Sequence, residues 1–158
     1  MQLPELGKPS YMRTARNKTP VLYDGREGEI KIGKGMELVE GNDVAIIACG
    51  VLVHEAMTAA KSLADLGISA AVVDMHTLKP LDGELIDALA EKCGAVVTAE
   101  DHSIIGGLGG AVAEHLISTN PVPMERIGVH DRFGESAGAE EMLEMMGLKS
   151  HHIVDAAK

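Results

Sequence analysis

Glu100-Asp101-His102 sets two carboxylates and an imidazole side by side. Such groups can exchange protons with a substrate in reach, or form a network of charge-assisted hydrogen bonds at an interface. No nucleophile or metal pattern accompanies them, which favours the interface role. Just beyond lies Gly106-Gly107-Leu108-Gly109-Gly110. It falls short of a dinucleotide fingerprint, because the sixth position counted from Gly107 is Val112, where Gly or Ala is needed for close helix packing. Glycines before a helix also expose backbone N–H groups at its positive end, so an anion or a partner carboxylate could dock at Gly106, Gly107 and Gly109. Close packing of the loop against a neighbour is the favoured alternative.

Other candidates carry less. The chain has seven histidines, but no pair has i, i+4 spacing with a third ligand in sight, and the adjacent His151 and His152 are expected to point apart on a helix. No metal site is assigned. Ser136 follows Gly-Glu, unlike the Gly-x-Ser-x-Gly nucleophile turn, and reads as a turn or cap residue. Cys49 reads as an inert buried thiol at a strand end, and the Met142, Met145, Met146 stripe as core or interface filler. No Gly-x-x-x-x-Gly-Lys phosphate loop occurs, and no catalytic residue is assigned.

The elements that must position these residues begin near Met36. Gly35–Glu40 can add an edge strand. Asp43–Cys49 and Ser69–Asp74 are short, β-branched apolar runs bounded by turn residues, and Ala95–Ala99 is a third; all read as buried parallel strands. Glu125–His130 is a fourth. Between them, Leu52, Ala56, Ala59, Leu63 and Leu66 mark one face of a helix over about 51–66, stopped by Gly67. Asp82 can cap a helix that turns Leu85, Ile86, Leu89 and Cys93 inward and stops at Gly94. A helix over about 108–118 follows the glycines, another spans about 139–146, and Ser150 opens a last one. This alternation predicts a three-layer α/β/α sandwich: a mostly parallel sheet of about five strands with one antiparallel edge strand. In such sheets, ligands and partners meet the carboxyl ends of the strands. Those ends carry Cys49-Gly50, Asp74-Met75-His76, Glu100-Asp101-His102 and His130-Asp131, a rim of acids and histidines.

Composition narrows the function classes. The 158 residues suit one domain with a short appendage, and 46% hydrophobic residues suffice for a core. Only 2% are aromatic, so the core must be built of Ala, Val, Leu, Ile and Met. The net charge of -10 and the scarcity of aromatics exclude a stacking platform for single-stranded nucleic acid and argue against binding to phosphate backbones or acidic membranes. No apolar run approaches the ~20 residues of a spanning helix. Two cysteines make no disulfide framework, and a cytoplasmic location is the expectation. Residues 1–34 stand apart, with seven bases against four acids, which leaves -13 on the other 124 residues. They read as an extended appendage, strand-like around Tyr11–Ala15 and Val21–Tyr23, that pairs with something outside this chain.

These residues carry a resemblance. Ile32-Gly33-Lys34-Gly35, Val73-Asp74-Met75-His76-Thr77-Leu78-Lys79-Pro80-Leu81-Asp82, and Val97-Thr98-Ala99-Glu100-Asp101-His102 running into Gly106-Gly107-Leu108-Gly109 come in the order seen in transketolase C-terminal domains. Asp131-Arg132-Phe133-Gly134-Glu135-Ser136, Glu141-Met142-Leu143 and Gly147-Leu148 complete it. The stretch resembles above all the C-terminal subunit of split transketolases. Ala137-Gly138-Ala139 departs from the family's usual Gly-Lys-Pro. The C-terminal pieces of 1-deoxyxylulose-5-phosphate synthase and of 2-oxoacid dehydrogenase β subunits share the fold and stay open as alternatives, as does a free-standing anion-binding or interaction module.

The resemblance implies that residues 1–34 are the end of the preceding pyrimidine-binding domain plus a linker, and that 35–158 are the C-terminal domain. It implies that Arg16 binds the phosphate of a sugar substrate, for which a planar guanidinium fork is suited. Arg13 is the neighbouring possibility; on an extended strand, positions three apart point to opposite faces and would not readily share one phosphate. The parent enzyme would move a two-carbon ketol unit between phosphorylated sugars of the pentose phosphate pathway, using thiamine diphosphate and Mg. The family's Gly-Asp-Gly diphosphate motif does not occur here, and neither does the glutamate-bearing body of the pyrimidine-binding domain. The chain is therefore expected to bind no cofactor by itself, to be inactive alone, and to serve assembly with N-terminal subunits or domains in a dimer or larger homo-oligomer. Asp74, His76, Glu100, Asp101, His102 and the three glycines 106, 107 and 109 would form an interface or regulatory rim.

Overall fold

The computed structural model describes residues 2–16 and 18–158. Two short 3-10 turns, Leu3–Leu6 and Glu27–Glu29, are the regular structure of the described residues before Met36. The stretches around Tyr11–Ala15 and Val21–Tyr23 form no strand within the chain. A strand exists only as half of a ladder, and among the described residues neither stretch pairs with a sheet edge.

Five strands follow: β1 (Met36–Val39), β2 (Val44–Ala48), β3 (Ala70–Asp74), β4 (Val96–Ser103) and β5 (Met124–Val129). The sheet order is β1-β3-β2-β4-β5. β1 runs antiparallel to β3, and the other pairs are parallel. Helices α1 (Leu52–Asp65), α2 (Gly83–Cys93), α3 (Leu108–Ser118), α4 (Ala139–Met145) and α5 (Ser150–Ala156) complete the chain.

The two faces of β2 show how the sequence makes layers. Val44, Ile46 and Ala48 face a cluster with Leu52, Ala56, Leu63 of α1 and Ile153 of α5. Ala45 and Ile47 face the opposite cluster with Ile86, Leu89, Leu108 and Val112 of α2 and α3. Successive strand residues point to opposite faces, so a strand apolar on every position is buried from both sides. The predicted α/β/α sandwich with an antiparallel edge is the structure found.

Three local expectations are corrected. Leu66 is 56% exposed, because α1 ends one residue before it and the helical face no longer continues. β4 does not stop at Ala99; it runs on through Glu100, Asp101 and His102 to Ser103. Asp82 stands at the N-cap of α2 but makes no side-chain cap. Its carboxylate instead accepts the Gly35 N–H at 3.0 Å and Lys34 Nζ at 3.1 Å, tying the entrance of β1 to α2. Gly94 ends α2 in the left-handed region at φ 72°, as its position suggested.

Candidate functional site

The chain leaves β2 through α1 toward β3, and leaves β4 through α3 toward β5, on opposite faces of the sheet. β2 and β4 are neighbours, so a crevice opens where their connections diverge. A cavity of about 270 Å³ lies there. Gly50, just after β2, and Asp101, near the end of β4, form one side; Arg13, Thr14 and Arg16 close it from the N-terminal segment. Arg13 Nη2 stands 3.9 Å from Asp101 Oδ2, both about half exposed. Arg16 makes no ion pair or side-chain hydrogen bond with the other described residues. Both arginines line the same cavity, contrary to the alternation expected of a strand, because the segment is not a strand and bends at Arg16.

Glu100 is 2% exposed. Its carboxylate accepts the backbone N–H of Leu108 at 2.7 Å and of Gly109 at 2.8 Å. The helix start open to an anion or a partner carboxylate is thus occupied by a side chain of the same protein. Gly107 is a glycine for this reason: a Cβ there would sit 2.0 Å from Glu100 Oε2. Gly109 is close-packed to a lesser degree, an added Cβ there lying 2.9 Å from Thr98 Oγ1 and from the Arg126 side chain. Gly106 takes a φ of 74° with open space around it. Glu100 therefore presents no free carboxylate to the rim. Asp101 is half-buried and His102 exposed, with His102 Nδ1 on the Ser103 carbonyl at 2.8 Å.

Asp74 lies deeper than a rim acid, at 6% exposure. The Tyr23 hydroxyl donates to its Oδ2, which pins the N-terminal segment to the end of β3. Its other oxygen and Nε2 of His76 are buried without partners. Burial raises the Asp74 carboxyl above its ordinary pKa, ahead of the lowering effects of Tyr23 and His76. Burial, then the Asp74 hydrogen bond, hold the Tyr23 phenol above its ordinary value. Burial, with the charges of Glu100 and Asp74 behind it, pushes the Cys49 thiol up to about 12. The rim is thus an acidic, partly desolvated surface with two orphaned polar atoms, and the arginine cavity is its cationic counterpart.

The residues do not fit a thiamine diphosphate. The helix start that could cradle a diphosphate is filled by the Glu100 carboxylate, which would repel it. Among the described residues, the one group of three metal-ligating side chains is Glu144, His151 and His152, formed by α4 and α5. His151 and His152 do not point apart: their ring centroids are 4.0 Å from each other.

Sequence reasoning missed several positioning residues. Glu55 on α1, 8% exposed, accepts the Ser150 N–H at 2.7 Å and Lys149 Nζ at 2.8 Å. His115 Nε2 and Thr119 Oγ1 meet Asp87 Oδ1 at 2.8 and 2.7 Å, joining α2 to α3. Their sole signal was a charged residue on a helix face that should be apolar.

Residues 33–153 match the family model described as transketolase, C-terminal domain. The chain is 47% identical over 149 residues to the 6-deoxy-6-sulfo-D-fructose transketolase subunit SqwH of Clostridium sp. (strain MSTE9), covering 94% of this chain and 46% of that protein. It is 47% identical over 148 residues to a putative transketolase C-terminal section of Methanocaldococcus jannaschii, covering 92% and 46%. A 1-deoxy-D-xylulose-5-phosphate synthase of Trichormus variabilis is 42% identical over 151 residues, covering 93% of this chain and 24% of that one. A solved structure described as "Split gene transketolase, inactive beta4 tetramer" superposes with a TM-score of 0.84 at 46% identity, over 90% of this chain and 46% of that one. The chain thus spans about half the length of the first two relatives. With the family model matching residues 33–153 and relatives 47% identical over more than nine-tenths of this chain, the chain belongs to the transketolase C-terminal domain family.

Proposed function

We propose that this chain is the C-terminal portion of a transketolase, in which 35–158 supports subunit assembly and 1–34 completes a pyrimidine-binding domain. The parent enzyme would transfer a two-carbon ketol unit between phosphorylated sugars, with thiamine diphosphate and its metal held by residues outside this chain. The observation that carries this reading is the cavity at the β2–β4 crevice, faced by Arg13 and Arg16. A guanidinium fork there offers parallel N–H donors to a terminal phosphate. The name of the 47% identical sulfo-sugar subunit supports a terminal dianion or sulfonate at this position, since the fork suits either.

The test reconstitutes the chain with subunits that carry the rest of the enzyme. The chain alone gives no ketol transfer with cofactor and metal, and the mixture does. Arg16→Ala raises KM for a phosphorylated sugar more than for its unphosphorylated counterpart; equal effects on both would sink the phosphate role. The match to 1-deoxy-D-xylulose-5-phosphate synthases supports a second reading. Condensation of pyruvate with a triose phosphate, without ketol exchange between sugars, would establish it.

A further inference from the structure

The turn between α4 and α5 gathers three ligand-type side chains far from the arginine cavity in sequence. His151 Nε2 lies 3.2 Å from Glu144 Oε1, and His152 Nε2 lies 3.6 Å from the same oxygen. All three ligand atoms fall within 4.8 Å of one another. A tetrahedral zinc ion with bonds of ~2.0–2.1 Å has ligand–ligand edges of roughly 3.3–3.5 Å. The 3.2 and 3.6 Å separations straddle that edge. A plain hydrogen-bonded pair does not account for the arrangement. His152 Nε2 is occluded and has no hydrogen-bond partner, and the rings stand 4.0 Å apart at 40° rather than diverging. Two imidazoles converging on one carboxylate oxygen, one with an orphaned nitrogen, place three donor atoms where a single cation can share them.

We propose that Glu144, His151 and His152 form a Zn²⁺ site. Two imidazole nitrogens and one carboxylate oxygen are a borderline donor set, which suits zinc over the harder Mg²⁺ and Ca²⁺. Three protein ligands leave the fourth tetrahedral position to water, since His151 and Glu144 are 55% exposed. The ion ties the end of α4 to the start of α5 across Gly147–Lys149. It therefore acts on the helix pair and owes nothing to the ketol-transfer reading.

The experiment titrates the tag-free chain with ZnCl₂ by isothermal calorimetry, and with CoCl₂ by visible absorption. The expected result is one Zn²⁺ per chain, tetrahedral d–d bands for Co²⁺, and a zinc-dependent rise in the unfolding midpoint by mass action. His151→Ala and Glu144→Gln alter exposed side chains and should keep the native circular dichroism. Each should weaken zinc binding by more than about tenfold, the least that loss of even an outer partner costs. Failure to bind one equivalent overturns the site; binding unchanged in both variants also overturns it and assigns the ion to other histidines.

Discussion

Glu55 on α1 accepts the backbone N–H of Ser150, 95 residues away in the chain, at 2.7 Å. Neither α3 nor α5 has a side-chain cap from its own N-cap residue. In both, a buried glutamate from another element supplies the acceptor: Glu100 for α3 and Glu55 for α5. A carboxylate at a helix N-terminus meets unpaired N–H groups and a favourable dipole at once. The same device locks the glycine-rich turn on one face of the sheet and the last helix on the other.

Glu55→Ala should therefore lower stability to urea by about 2 kcal/mol, the scale of a charged hydrogen bond lost from a buried site. Glu55→Gln keeps an acceptor for Ser150 and should cost less. Equal midpoints for wild type and Glu55→Ala would refute the capping role.

Glycines 107 and 110 should respond with opposite signs. Gly107→Ala drives a methyl into the Glu100 carboxylate and should cost about 2–3 kcal/mol through the lost bonds to Leu108 and Gly109. Gly110 lies inside α3 with nothing within 4 Å of an added Cβ. Gly110→Ala should raise stability by roughly 0.5–1 kcal/mol. Thermal unfolding of both variants checks the pair.

Asp74 predicts a pH dependence. Its folded pKa is raised by burial, so the folded state holds a proton that the unfolded chain releases near ~3.9. The stability associated with this group is present below that value and declines as pH rises through the folded pKa. Asp74→Asn keeps an acceptor for Tyr23 and removes the titration. Its urea midpoint should fall less than that of wild type as pH rises above ~4; parallel curves would contradict the assignment.

Cys49 should be nearly inert. With its pKa pushed up to about 12, the thiolate fraction at pH 8 is roughly 10³-fold below that of an ordinary cysteine of ~8.5. Iodoacetamide labelling followed by peptide mass analysis should find Cys49 unmodified when a small-molecule thiol has reacted fully. Rapid labelling of native Cys49 would contradict the raised pKa.

Much of this architecture was legible in the sequence, and the exceptions have physical causes. Runs such as Val44–Ala48, apolar at every position, and Ala70–Asp74, apolar at all but its last, mark doubly covered strands. The helical face of α1 was readable up to Leu63, and failed at Leu66, where the helix ends. β4 looked finished at Ala99 because charge follows. The strand continues because the Glu100 carboxylate is satisfied by N–H groups eight and nine residues ahead, a partner that hydropathy cannot reveal. Long-range tertiary pairing hid the rest. Nothing in the local pattern joins Tyr23 to Asp74, folds Arg13 and Arg16 onto one cavity, or turns His151 and His152 toward Glu144.

The aromatic-poor core has a practical consequence in the optics of the protein. Phe133 is 98% exposed and Tyr11 88% exposed, so neither ring samples the interior. Tyr23 is the remaining ring, and its hydroxyl rests on a carboxylate at the end of β3. Ultraviolet emission from the native chain thus reports the seating of the N-terminal segment, while the sandwich itself is dark. Release of the segment would brighten the Tyr23 component above the constant emission of exposed Tyr11 with every helix still in place, giving a built-in gauge of whether residues around Tyr23 stay seated.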